Sequence, residues 1–179
     1  MTITDTDAFE TMLTHHQTLD DRVQALTTAV GRTVTDETAY VPGVAELIAY
    51  FSDEVLPHGF AEEHSIYGAR ADLAGTVVEM TAEHRSLAIA VEGLAGSPNG
   101  PAASEQADQV AALFTAHVAK ENEILLPRML EHDDVHLAEL LMQTRHLTKV
   151  AQHGSLPDGA ATPDPESTPS HVGVKKVTK

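Results

Sequence analysis

Residues 107–125 read ADQVAALFTAHVAKENEIL, with apolar side chains returning at three- and four-residue steps through Ala107, Val110, Leu113, Phe114, Ile124 and Leu125. That is the period of one face of an α-helix. His117 and Glu121 fall on the same face, where the periodicity asks for core residues. The stretch therefore predicts a helix over residues 102–130 that carries titratable groups inward. Ser104 reads as its cap, and Pro127 should bend or end it.

The same period recurs on either side. Phe9, Met12, Leu13, His16, Leu19, Val23, Leu26 and Val30 mark a first helix, capped by Asp5 or Asp7 and ended by Gly31. Val44, Leu47, Ile48, Phe51 and Val55 mark a second, entered at Pro42-Gly43 and expected to run towards Arg70. Pro57 lacks the N–H that would bond the carbonyl of Asp53, which predicts a kink just before His58. A third helix fits residues 73–94 through Val77, Met80, His84, Leu87, Ile89 and Val91. It stops at Gly93, Gly96 and the run Ser97-Pro-Asn-Gly-Pro101. Asp133-Asp134 should cap a shorter fifth segment over residues 135–150, whose Leu137, Leu140, Leu141 and Leu147 share one face that packs across the bundle.

No strand alternation, internal repeat or sustained heptad interrupts this pattern. The fold expected is all-α: an up-down-up-down four-helix bundle with an additional short C-terminal helix over residues 1–152. Residues 153–179, rich in Pro, Gly, Ser and Thr, read as a flexible, disordered tail.

Composition narrows the chemistry. The 179 residues carry 11 Lys and Arg against 27 Asp and Glu, so 11 − 27 = −16, with no Cys, no Trp and eleven His. The length suits one domain. Without thiols, iron–sulfur clusters, thiolate zinc sites and cysteine nucleophiles are excluded, and any metal must be held by nitrogen and oxygen. An aromatic content of 4% argues against a β-sandwich. The acidic balance disfavours nucleic acid, since the one basic cluster is Lys175-Lys176 with Lys179. No basic leader and no apolar run near 18 residues is visible, so a cytoplasmic protein without membrane contact is expected.

His16, His84 and His117 each occupy a core position, one per helix, and His58 lies at the same depth on the second helix. A single core histidine is ordinarily satisfied by one hydrogen bond. Four without a common partner would leave several polar groups unpaired, at roughly 1–3 kcal/mol each. A shared metal removes that cost. His58-Gly-Phe-Ala-Glu62 and His117-Val-Ala-Lys-Glu121 both set a carboxylate one turn after the imidazole. Such spacing recurs by chance in a chain this rich in His and Glu; the similar flanks, Glu62-Glu63-His64-Ser65-Ile66-Tyr67 and Glu121-Asn122-Glu123-Ile124-Leu125-Leu126-Pro127, make the pair informative. Tyr50 and Glu54 stand on the line that leads through His58 to Glu62, which makes them candidates for supporting roles at the centre. His64, His132, His136, His146, His153 and His171 have no matching carboxylate turn or lie off the core faces.

The order His16, His58-x-x-x-Glu62, His84, His117-x-x-x-Glu121, with Glu-x-x-Ile-Leu-Leu-Pro, resembles the hemerythrin-like (HHE cation-binding) family over about residues 9–130. In particular it looks like the actinobacterial hemerythrin-like proteins. The resemblance implies a non-haem di-iron centre with an oxo or hydroxo bridge, His16, His58, His84 and His117 supplying nitrogens, and Glu62 and Glu121 bridging. His15 is the fallback for His16, although it points about 100° away from the stripe. Ferritin-like sites use Glu-x-x-His, and no histidine here has Glu three residues before it.

Oxygen-carrying hemerythrins place a further histidine one turn before the third-helix ligand, where this chain has Met80. The resemblance thus implies two irons that each keep an open position. That arrangement suits an oxidoreductase acting on hydrogen peroxide or nitric oxide, catalase- or peroxidase-like, more than reversible carriage of oxygen. Turnover would need an electron donor, and no Gly-rich dinucleotide loop is present. The rival expectation is a module that binds or senses oxygen, nitric oxide or iron without turnover. A zinc or manganese centre is the third, because nitrogen and carboxylate donors do not by themselves select iron.

Overall fold

Thr4, and neither Asp5 nor Asp7, caps the first helix, Asp5–Arg32. Its hydroxyl accepts the Asp7 N–H at 3.1 Å while the Asp7 carboxylate accepts the Thr4 N–H at 3.0 Å. This reciprocal box satisfies two of the donors that a helix start leaves free. The computed structural model describes residues 3–33, 37–96 and 100–153. The expected tail, residues 154–179, lies outside the described residues.

The second helix proceeds in three joined pieces: Glu37–Tyr50, a π-helical turn Phe51–Val55, and Leu56–Ser65. It starts before Pro42-Gly43 and ends short of Arg70. A 3₁₀ turn, Ala71–Leu73, leads into the third helix, Ala74–Ala95. Gly100, at φ 95°, adopts the left-handed backbone open to glycine and precedes Pro101, the first residue of the fourth helix. That helix also has three pieces: Pro101–Lys120, a second π-helical turn Glu121–Leu125, and Leu126–Leu130. Ser104 is inside it and is not its cap.

Both π turns lie immediately before a Leu-Pro pair, Leu56-Pro57 and Leu126-Pro127. Each proline removes one donor from the ladder and crowds the carbonyl four residues back. The backbone responds by stepping to a five-residue bond, with the Leu56 N–H donating to the Phe51 carbonyl and the Leu126 N–H to the Glu121 carbonyl. Neither proline ends its helix.

The fifth helix, Leu137–Gln152, packs along the first helix and the latter part of the second. Its capping carboxylate comes from elsewhere in the chain: Asp5 accepts the Ala138 N–H at 2.8 Å, in place of the expected Asp133-Asp134. Ser65 and Thr144 bond across the buried contact at 2.8 Å. At the far end, the Gln152 amide donates to the Asp53 carbonyl at 3.0 Å, so the acceptor that Pro57 cannot serve is satisfied by the fifth helix.

Helices one to four form a ring in which each touches its sequence neighbours and the fourth closes on the first. Inside it are two apolar clusters. One gathers Leu19, Val23, Leu47, Phe51, Leu87 and Phe114, with the Phe51 and Phe114 rings edge to face at 5.9 Å. The other gathers Met12, Ile66, Met80, Leu125, Met129 and Leu141. On three helices the polar core residue falls between a member of each cluster: His16 between Met12 and Leu19, His58 between Val55 and Ile66, His84 between Met80 and Leu87. Three expected core positions are on the outside, since Ile89 is 69%, Leu113 45% and Ile124 38% exposed. Among the described residues no helix is long and apolar enough to cross a membrane.

Candidate metal centre

The polar layer between the two clusters contains His16, His58, Glu62, His84, His117 and Glu121, of which only His84 is more than marginally exposed. Glu62 is the hinge of the arrangement. Its Oε1 lies 3.1 Å from His16 Nε2 and 3.0 Å from His58 Nε2, while Oε2 lies 3.9 Å from His84 Nε2. Glu121 divides its oxygens in the same way, Oε1 at 3.5 Å from His117 Nε2 and Oε2 at 3.7 Å from His16 Nε2. Two carboxylates thus span a His16–His58 pair and a His84–His117 pair.

On three of the four histidines the remaining ring nitrogen is tied down from outside. His16 Nδ1 donates to Asn122 Oδ1 at 2.7 Å, His84 Nδ1 to Glu63 at 2.8 Å, and His117 Nδ1 to Glu83 at 2.9 Å. Glu83 is itself paired with Lys120. A proton held on Nδ1 leaves the lone pair of a neutral imidazole on Nε2, the atom that faces the carboxylates. The anchors run around the bundle: helix two holds the histidine of helix three, three holds four, and four holds one. At the fourth junction His15 of the first helix sets its ring edge-on to His58, 4.7 Å between centroids. His15 keeps an exposed outer side, but desolvation of the side packed against the cluster, then the positive charges of His58 and His16, lower its pKa to about 4.

Tyr67 caps the layer from the second apolar cluster. Its hydroxyl donates to Glu121 Oε1 at 2.6 Å and lies 3.4 Å from His117 Nε2, with the ring stacked on His84 at 5.6 Å. Burial, then the charges of Glu121 and Glu62, push the phenol pKa far up, so Tyr67 stays a neutral donor. Gly59 makes room for His84: a Cβ there would sit 2.9 Å from its Nε2.

The protons of the cluster balance its buried carboxylates. Burial opposes charge on His16, yet the hydrogen bond to Glu62 and the charge of Glu121 hold its pKa up at about 9. His117 is likewise raised to about 9 by Glu121 and Glu83 against its burial. Burial would favour a neutral Glu62, but His58 and His16 hold it well below the usual carboxylate range. Protons on the imidazoles thus neutralise the buried carboxylates, a role that a cation bound among the same atoms performs without them.

Three observations test whether the residues suit a metal. His58 Nε2 is buried without a hydrogen bond, because its 3.0 Å approach to Glu62 lacks bonding geometry. The donors are imidazole and carboxylate, with ligand-capable atoms of Glu62, His84, His117 and Glu121 mutually within 4.8 Å, as are those of His16, His58 and Glu62. Gly59 keeps the space beside His84 open. The residues fit. The hemerythrin HHE cation-binding domain model matches residues 7–129.

The chain belongs to the hemerythrin HHE cation-binding family. No curated protein and no solved structure gives a match. The matched span takes in all six residues of the polar layer.

The six histidines and glutamates that the sequence nominates thus come together. Tyr50 and Glu54 stand apart from both donor groups: Tyr50 is half-buried against the first apolar cluster, and Glu54 is exposed, accepting from Gln152 at 2.9 Å. Sequence reasoning passed over Tyr67, Gly59 and the anchors Glu63, Glu83 and Asn122. Each anchor is the immediate neighbour of a layer residue, Glu63 of Glu62, Glu83 of His84 and Asn122 of Glu121. A step of one residue turns about 100° around a helix, enough to aim the side chain at the adjoining helix.

Proposed function

We propose that this protein holds two iron ions, one among His16, His58 and Glu62, the other among Glu62, His84, His117 and Glu121, and acts as an oxidoreductase on hydrogen peroxide or nitric oxide. The observation that carries the reading is the division of the Glu62 and Glu121 oxygens between two histidine pairs. Iron bound there supplies one-electron redox steps and Lewis-acid binding of a small ligand.

The chain's own groups serve the rest of the reaction. The Nδ1 anchors fix the imidazoles, so the donor set does not reorganise as charge changes. Tyr67 holds a proton at its hydroxyl within the polar layer, 2.6 Å from Glu121. A cavity of about 210 Å³ between the second, third and fourth helices reaches the layer past Val55, Leu56, Leu87, Ala88, Phe114 and Val118. Its apolar wall suits small neutral molecules such as peroxide and nitric oxide and discourages bulk water. Met80, fully buried in the second apolar cluster one turn before His84, offers no further nitrogen.

Iron-loaded protein should consume added peroxide over many turnovers when a reductant is supplied. Met80→His, which adds a donor next to His84, should suppress that turnover while iron content is kept. Unchanged turnover in the variant contradicts the open-position account. One feature favours the second reading, a sensor of oxygen, nitric oxide or iron: Gln152 links the fifth helix to the π turn just before His58 through Asp53 and Glu54. A single stoichiometric spectral change without turnover selects that reading.

A further inference from the structure

A second cavity, about 420 Å³, reaches the layer from a different side, between the first, second and fifth helices. Its inner wall includes His16, His58 and Glu62, all buried, and its outer wall carries Arg145 and Lys149, both exposed. These two cations are one helical turn apart on the fifth helix and have no ion-pair partner among the described residues. The carboxylate beside them, Glu54, is engaged by the Gln152 amide at 2.9 Å. In a chain of net charge −16 the general field repels anions, and Arg145 and Lys149 set two cations at the mouth of this cavity, which the carboxylates of Glu54 and Glu62 also line.

We propose that this cavity is a binding site for a small anion, drawn in by Arg145 and Lys149 and brought to the His16–His58 side of the centre. Its last step, contact with a bound metal, rests on the function proposed above; capture at the cavity mouth does not. The molecule then has two entrances of different chemistry. The apolar cavity takes neutral molecules, and the one beneath the fifth helix takes anions.

Azide is a suitable probe, being small, anionic at neutral pH and able to bind iron. In metal-free full-length protein, azide should shift the backbone amide resonances of Arg145 and Lys149. Absence of those shifts overturns the site, whatever the metal content. In iron-loaded protein, Arg145→Gln with Lys149→Gln should weaken azide binding about fivefold, as expected for two partly screened charges, and leave nitric oxide binding unchanged. Equal azide affinity in the double variant contradicts the proposal, and so does an equal loss for both ligands. Arg85 lines the apolar cavity and supplies the control, because Arg85→Gln should leave azide unaffected. If Arg85→Gln is instead the weakening change, anions enter by the other route and the assignment fails. Iron content of the same samples reports separately on the metal centre.

Discussion

At the scale of single residues, the centre is built by neighbours in sequence that serve different helices. The six layer residues were legible because His16, His84 and His117 interrupt apolar stripes whose period leaves no other face for them. Their anchors were not, because Glu63, Glu83 and Asn122 sit one position off the stripe and read as ordinary solvent-facing polar groups. Anchors of this kind are worth about 10- to 100-fold in metal affinity. Glu83→Gln should therefore weaken iron binding by that order with little change in helicity, which a competition titration against a chelator measures. Tyr67→Phe leaves Glu121 Oε1 short of a buried donor and should cost about 1–3 kcal/mol in denaturant unfolding. Gly59→Ala, which presses a methyl against His84 Nε2, is expected to lower iron content below that of the parent protein, and a variant with full iron content would show that the close approach is not needed.

At the scale of elements, two prolines, expected to kink the second helix at Pro57 and to bend or end the fourth at Pro127, are absorbed as π turns. The sequence shows the missing donors at Pro57 and Pro127, and from them a disturbed ladder follows. Whether the helix ends or steps to a wider turn depends on packing beyond it, here the apolar contacts of Ile66 and Met129 that keep both helices going. The same tertiary reach decides the caps. Asp5 serves the fifth helix rather than its own, and the Asp53 carbonyl is served by Gln152 at a separation of 99 residues. Gln152→Ala should cost about 0.5–1.5 kcal/mol, the worth of a typical hydrogen bond, and increase amide exchange in the π turn over residues 51–55. Unchanged exchange there would detach the fifth helix from the second.

At the scale of the whole molecule, the bundle is two apolar plugs separated by a charged layer, and its pH response follows from that. His16 and His117, raised from 6.5 to about 9, stabilise the metal-free fold fully below pH 6.5 and lose that contribution as the pH rises through 9. Glu62, held low, stabilises it above its ordinary value of 4.5 and loses that contribution in acid. The melting temperature of chelator-treated protein should therefore fall between pH 6.5 and 9.5. Iron should reverse the slope by displacing the same protons, so its affinity should climb over this range. The measurement closest to the central claim is iron content per chain together with the magnetic coupling of the bound ions. Sharing of Glu62 and Glu121 between two histidine pairs predicts two irons per chain that are magnetically coupled. One iron per chain, or two that behave as independent ions, would contradict it.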